Sequence, residues 1–101
     1  MQAEYPAHFV REMGCSAQEL RTWLPGASRG ACIEWTADDA ASVLVEGHHR
    51  LHLSWTVLAP RRIALITLPR LRVHFDFGEM DAAVRHHYMR HFDLYTQRGG
   101  G

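Results

Sequence analysis

The sequence predicts an α+β fold: a two-layer sandwich in which a five-stranded antiparallel meander is covered on one face by two short N-terminal helices and one C-terminal helix. Three observations carry it. The hydrophobic period is helical up to about residue 25, changes to two from Cys32, and becomes helical again from Glu79. Turn residues interrupt the middle of the chain at short intervals, as hairpins require. Pairing the resulting strands in sequence collects the large apolar side chains on one side.

In order, Phe9, Val10 and Met13 fall at helical spacing before Gly14, which predicts a first helix over 7–13. Ser16-Ala-Gln-Glu19 is a capping box, in which the serine hydroxyl and the glutamate carboxylate each satisfy a free backbone N–H. It opens a second helix carrying Leu20, Trp23 and Leu24, and Pro25-Gly26 is expected to stop it. Strands follow at 32–36, 42–46, 52–58, 62–67 and 71–77, with Pro60 and Pro69 assigned to turns, where no ladder N–H is lost. Aligning Trp35 with Val43, Val43 with Trp55, Trp55 with Leu65 and Leu65 with Val73 makes one apolar row. The same registers make a second from Ile33, Val45, Leu53, Thr67 and Leu71, and a third from Val57, Ile63 and Phe75. A last helix from Glu79 to Tyr95 has Met80, Val84, Tyr88, Phe92 and Tyr95 along one stripe. Five strands at about 4.8 Å span roughly 24 Å, which two helix diameters of about 10 Å nearly cover.

At 101 residues the chain is expected to form one domain over 1–96, followed by a flexible Gly-rich tail over 97–101. With 47% hydrophobic residues it can bury a core without disulfides, and Cys15 and Cys32 are expected to be buried free thiols. The chain has no lysine and no asparagine, a composition that points to a GC-rich, bacterial coding sequence. The first residues lack the basic and apolar run of a secretory signal, and the apolar stretch over 63–69 is too short to span a bilayer. The expectation is a cytoplasmic protein. Eleven arginines balance eleven acidic residues, so no long-range field steers the chain toward nucleic acid or an anionic membrane. Neither is an expected partner, and any such binding would have to be local.

The expected open face of the sheet holds the candidate site. There the registers oppose Glu46 to His52 and Arg62 to Asp76, and bring up Ser54, Thr56, Arg72 and His74. His52, Ser54, Arg72, His74, Asp76 and Glu46 are therefore the candidate binding residues, suited to a small anionic ligand. Leu44, Leu58, Ile66 and Leu68 project to the same side, which predicts a homodimer stacked sheet to sheet. The primary expectation is thus a small binding or protein-interaction module. The alternative is a small enzyme or ligand-binding domain using His52 or His74 beside a carboxylate, with metal assistance in one form.

Eight histidines is a high count, and His87 and His91 share a helix face at a metal-chelating spacing. HExxH is absent, since Tyr88 follows His87, and a site would need a third ligand such as His8, His48 or His49. Both rings lie beside the apolar stripe, which predicts hydrogen bonding at a packed boundary. No cofactor is expected, because no phosphate-binding or dinucleotide fingerprint and no nucleophile elbow occurs.

Overall fold

The computed structural model describes residues 5–98, in which a five-stranded antiparallel sheet and two helices form an α+β fold. The elements are β1 (His8–Met13), α1 (Ala17–Ala27), β2 (Ile33–Ala37), β3 (Ala40–Val45), β4 (His49–Ile63), β5 (Ile66–Asp76) and α2 (Ala82–Gln97). In space the strands run β1-β5-β4-β3-β2, so β2 to β5 form a meander and β1 is added beside its last strand. The helix α2 ends at Gln97, within the tail expected over 97–101, of which residues 99–101 lie outside the described residues.

The expected first helix is a strand, which leaves two helices rather than three. Phe9 and Met13 face inward along β1 while His8, Val10 and Glu12 face outward, and Val10 is half exposed. Arg11 holds the inward position between the two hydrophobes, which hides the two-residue period and makes Phe9, Val10 and Met13 look helical. Its guanidinium lies 5.6 Å from the ring centres of both Phe9 and Phe75 and donates to Asp93 of α2. Six residues cannot sustain an isolated helix, whereas pairing with β5 from His8↔Asp76 to Met13↔Leu71 satisfies the backbone at once.

The capping box at Ser16 forms as expected, with Ser16 Oγ accepting from Glu19 N–H and Glu19 accepting from Ser16 N–H. Pro25 does not stop α1, because proline in the last turn removes only one donor; the helix ends at Ala27. Gly30 N–H then reaches Pro25 O at 2.8 Å and Arg29 N–H reaches Gly26 O at 3.1 Å, the paired closing bonds of a Schellman motif. Arg29 (φ 57°) and Gly30 (φ 74°) supply the left-handed backbone.

Gly26 is where the helices touch. A methyl group there would stand 2.2 Å from Tyr95 Oη and 2.4 Å from the ring carbon bearing it. Gly26→Ala is therefore expected to destabilise the chain by about 1–3 kcal/mol, outweighing the roughly 1 kcal/mol that alanine gains by propensity. Urea unfolding of Gly26→Ala, Tyr95→Ala and the double variant checks this: the double variant should be more stable than the sum of the singles implies. Additive effects would show that the contact is not tight.

The middle strands differ from expectation in length. The segments read as strands at 52–58, 62–67 and 71–77 are two long strands, β4 and β5, turning at Ala64-Leu65 with Ile63 paired to Ile66. Pro60 and Pro69 mark no turn; both sit at a bulge between Leu58↔Arg70 and Arg61↔Leu68, the position within a ladder that tolerates a missing N–H. The other registers also move. Val43 pairs with Leu51 rather than Trp55, and Trp35 pairs with Ala41 rather than Val43. Because these slips are even, they keep each side chain on its face.

One face is buried as a result. Val43, Leu51, Leu53, Trp55, Leu71, Val73 and Phe75 from the sheet meet Leu20, Leu24, Met89 and Phe92 from the helices. Phe75 stacks on Phe9 at 4.7 Å and meets Phe92 edge-on at 5.4 Å. Four hydrophobic residues depart from the expected inner rows: Val57 and Leu65 are exposed, Leu65 fully so because it forms the turn between β4 and β5, and Trp35 and Ile63 depart for other reasons. Trp35, 39% exposed on the edge strand, is covered by the Arg21 guanidinium at 4.3 Å instead of by a helix. Ile63 lies past the bulge, which shifts its register, and it is exposed.

Candidate open-face binding site

The sheet face away from the helices is built in rows. The registers place His8 (β1), Asp76 (β5), His52 (β4), Ser42 (β3) and Glu34 (β2) side by side across all five strands. The next row is Val10, His74, Ser54 and Ala40, and the third is Glu12, Arg72 and Thr56. His8, His52, Ser54, Arg72 and His74 are exposed and Asp76 is half-buried. The first two rows line a concavity of about 520 Å³, with His8, Val10, His52, Ser54, His74 and Asp76 in its wall and Thr36 and Ala40 at one side.

Five of the six candidate residues therefore share one face, and four of them line its concavity: His52, Ser54, His74 and Asp76. Arg72 lies one row away. Glu46 does not join them. It occupies the turn between β3 and β4 with a left-handed backbone (φ 53°), so the expected opposition to His52 does not occur; His52 faces Asp76 and Ser42. The expected Arg62–Asp76 pair is likewise absent, since Arg62 pairs with Thr67 far along the hairpin. His8 completes the site; the helical spacing predicted over 7–13 hides it as a neighbour of Asp76.

Asp76 is held from two directions: His8 Nε2 stands 2.6 Å from Oδ1, and Gly78 N–H donates to the same oxygen at 2.9 Å. Both side chains of the His8–Asp76 pair are at least half exposed, so the pair adds little to stability. It does orient the imidazole. Glu12 accepts from Arg70 and lies 3.9 Å from Arg61, and among the described residues no carboxylate pairs with Arg72. Arg50 donates to the buried Ser42 hydroxyl at 3.3 Å, which leaves most of its donors facing outward.

The arrangement offers cationic and hydroxyl donors with no assembled nucleophile. Ser54 and His74 are opposed, yet among the described residues they share no hydrogen bond, and the carboxylate beside them is engaged by His8. Cys15 is no substitute, because burial, and after it the charge of Glu19, pushes its thiol up to about 11. Cys32 is exposed rather than buried, and both thiols are free. Cys32 lines a second concavity of about 510 Å³, between the end of α1, the β3–β4 turn and α2, together with Glu46, His87 and the buried Ser28 and Tyr88 hydroxyls. Those hydroxyls bond each other at 2.7 Å, and burial pushes the Tyr88 phenol far up.

Among the described residues no three His, Cys, Asp or Glu side chains stand close enough together to hold a metal ion. His91 bonds through Nε2 to Gly26 O at 2.9 Å, while His87 is exposed one turn away. No helix in the described residues is long and apolar enough to cross a membrane. No family model, curated protein or solved structure matches the chain.

Proposed function

We propose that the chain is a small binding module that takes an anionic small molecule in the concavity of its open sheet face. The supporting observation is the convergence of His8, His52, His74 and Ser54 on a concave wall of about 520 Å³, with Arg72 in the adjoining row. Imidazole and hydroxyl donors fit a carboxylate or phosphate, and an arginine without a carboxylate partner fits it in bidentate fashion. The side chains rise from paired strands, so their spacing is set by the ladder.

The sheet-to-sheet homodimer is the competing proposal. Its apolar residues do not make one patch: Leu44 pairs opposite Arg50 at one end, Leu58, Ile66 and Leu68 lie at the other, and the imidazole rows separate them. A stacked second copy would bury those rows, at a desolvation cost for each group left unpaired.

Amide NMR of the full chain titrated with inorganic phosphate, and separately with citrate, tests the ligand reading. Saturable shifts are expected at Val10, His52, Ser54 and His74. His74→Ala, a change at an exposed position, should weaken binding about tenfold, the value of one lost charge-assisted bond, and leave the melting temperature unchanged. Shifts confined to the helical layer, or equal binding by His74→Ala, would contradict the proposal.

A further inference from the structure

Beyond the central sheet the β4–β5 hairpin continues as an arm. β3 pairs with β4 only as far as Ser54, and β1 pairs with β5 only from Leu71, so residues 58–70 pair with nothing but each other. The arm shows a gradient of chemistry. Next to the sheet stands Arg70, which donates to Glu12 of β1; further out are Arg61, 3.9 Å from the same carboxylate, and Arg62; at the tip are Ile63, Ala64, Leu65 and Ile66. Leu65 is fully exposed, Ile66 is 60% and Ile63 is 53% exposed, and Leu68 lies just behind them. From Leu58 to Arg70 there are three arginines and no acidic residue, in a chain whose formal charge is zero.

We propose that this arm docks the protein on an anionic phospholipid surface, the aliphatic tip entering the headgroup–acyl boundary and the arginines lying at the level of the phosphates. The order of the residues argues for this partner. An aliphatic tip backed by cations matches a bilayer interface, where apolar side chains go deepest and long basic side chains reach back to the charged layer. A nucleic acid would call for the reverse order, with cations foremost, and the arm has no aromatic side chain on which a base could stack. Another strand is resisted on the edges by Pro60 and Pro69. A second copy would bring two sets of three arginines together, with only the few aliphatic side chains of the tip to bury between them.

This docking does not depend on the ligand reading, because it uses different residues. Flotation of the full chain with vesicles tests it. Vesicles of phosphatidylcholine with phosphatidylserine are expected to carry the protein, and pure phosphatidylcholine vesicles to carry about tenfold less or lower. Leu65→Asp with Ile66→Asp, at positions too exposed to affect folding, should remove the binding. Arg61→Ala with Arg62→Ala should weaken it about tenfold and flatten its salt dependence. Leu65→Trp should show a blue shift in the emission difference from the parent chain on anionic vesicles only, and His74→Ala should bind vesicles like the parent. Failure to float with anionic vesicles, equal flotation with neutral ones, or indifference to the Leu65 and Ile66 changes would overturn the proposal. So would tighter binding to duplex DNA, or a dimer by light scattering that the same two aspartates dissociate.

Discussion

Phe75→Ala is expected to cost about 3–5 kcal/mol, because it leaves a cavity where the two layers meet. The Phe75 ring is almost fully buried and touches three elements at once: Phe9 of β1, Phe92 of α2, and Phe77, stacked at 6.4 Å in the segment leading to α2. Offset and edge-on aromatic pairs add about 0.5–1.5 kcal/mol each beyond the area they bury. A domain of this size holds about 5–15 kcal/mol in total, so the substitution removes a large share of it. In urea the midpoint should fall by on the order of 2–3 M. Phe75→Leu keeps most of the volume and should lose about 1–2 kcal/mol, which provides a measurable variant if the alanine chain does not fold. A midpoint for Phe75→Ala within experimental error of the parent would show that the aromatic cluster is not the centre of the core.

The second large effect is expected at Asp93, which ties the edge strand to the helical layer. Its carboxylate accepts from the Tyr5 hydroxyl at 2.6 Å and from Arg11 at 2.5 Å, and both charged side chains are mostly buried. Asp93→Ala leaves the Arg11 guanidinium between Phe9 and Phe75 with its counter-ion gone, at a cost of about 2–4 kcal/mol. Arg11→Met together with Asp93→Leu removes both charges and should recover much of that loss, since an apolar pair is a fair substitute for a buried ion pair. Tyr5 gives an independent readout. Its phenol is held above the ordinary value by burial first and then by its hydrogen bond to Asp93. In Asp93→Ala the second cause disappears, and the alkaline absorbance titration of Tyr5 should begin at lower pH. Hydrogen exchange in β1 should speed up in the same variant. An unchanged Tyr5 titration with unchanged exchange in β1 would contradict the tie.

What could be read from the sequence follows from parity. A strand pairing that is wrong by two or four residues still sends Trp55, Val73 and Phe75 inward and Ser54, Arg72 and His74 outward, so the open face was legible although its registers were not. Neighbours across strands depend on register itself. For that reason the pairs the sequence predicts, Glu46 with His52 and Arg62 with Asp76, do not form. The bulge at Pro60 and Pro69 inserts one residue and reverses parity beyond it; Ile63, expected in the core row, points away from it on the arm.

The strand β1 was hidden for a different reason. Its inward arginine is satisfied by Asp93, 82 positions later in the chain, and no local pattern carries that information. His8 was lost with it, and so was half of the pair that orients Asp76. A short apolar segment with a charged residue at its centre reads as strand only once its ion partner is known.

The helices cover one face of the sheet and leave the imidazole rows open. Footprinting of the full chain with diethyl pyrocarbonate, read residue by residue by mass spectrometry, tests it most directly. His52 and His74 should be modified about as readily as His48 in its exposed turn, while His91, which holds the end of α1, reacts more slowly. Protection of His52 and His74 at a level matching His91 would mean that the face is covered, by a second copy or by a different fold, and would contradict the account.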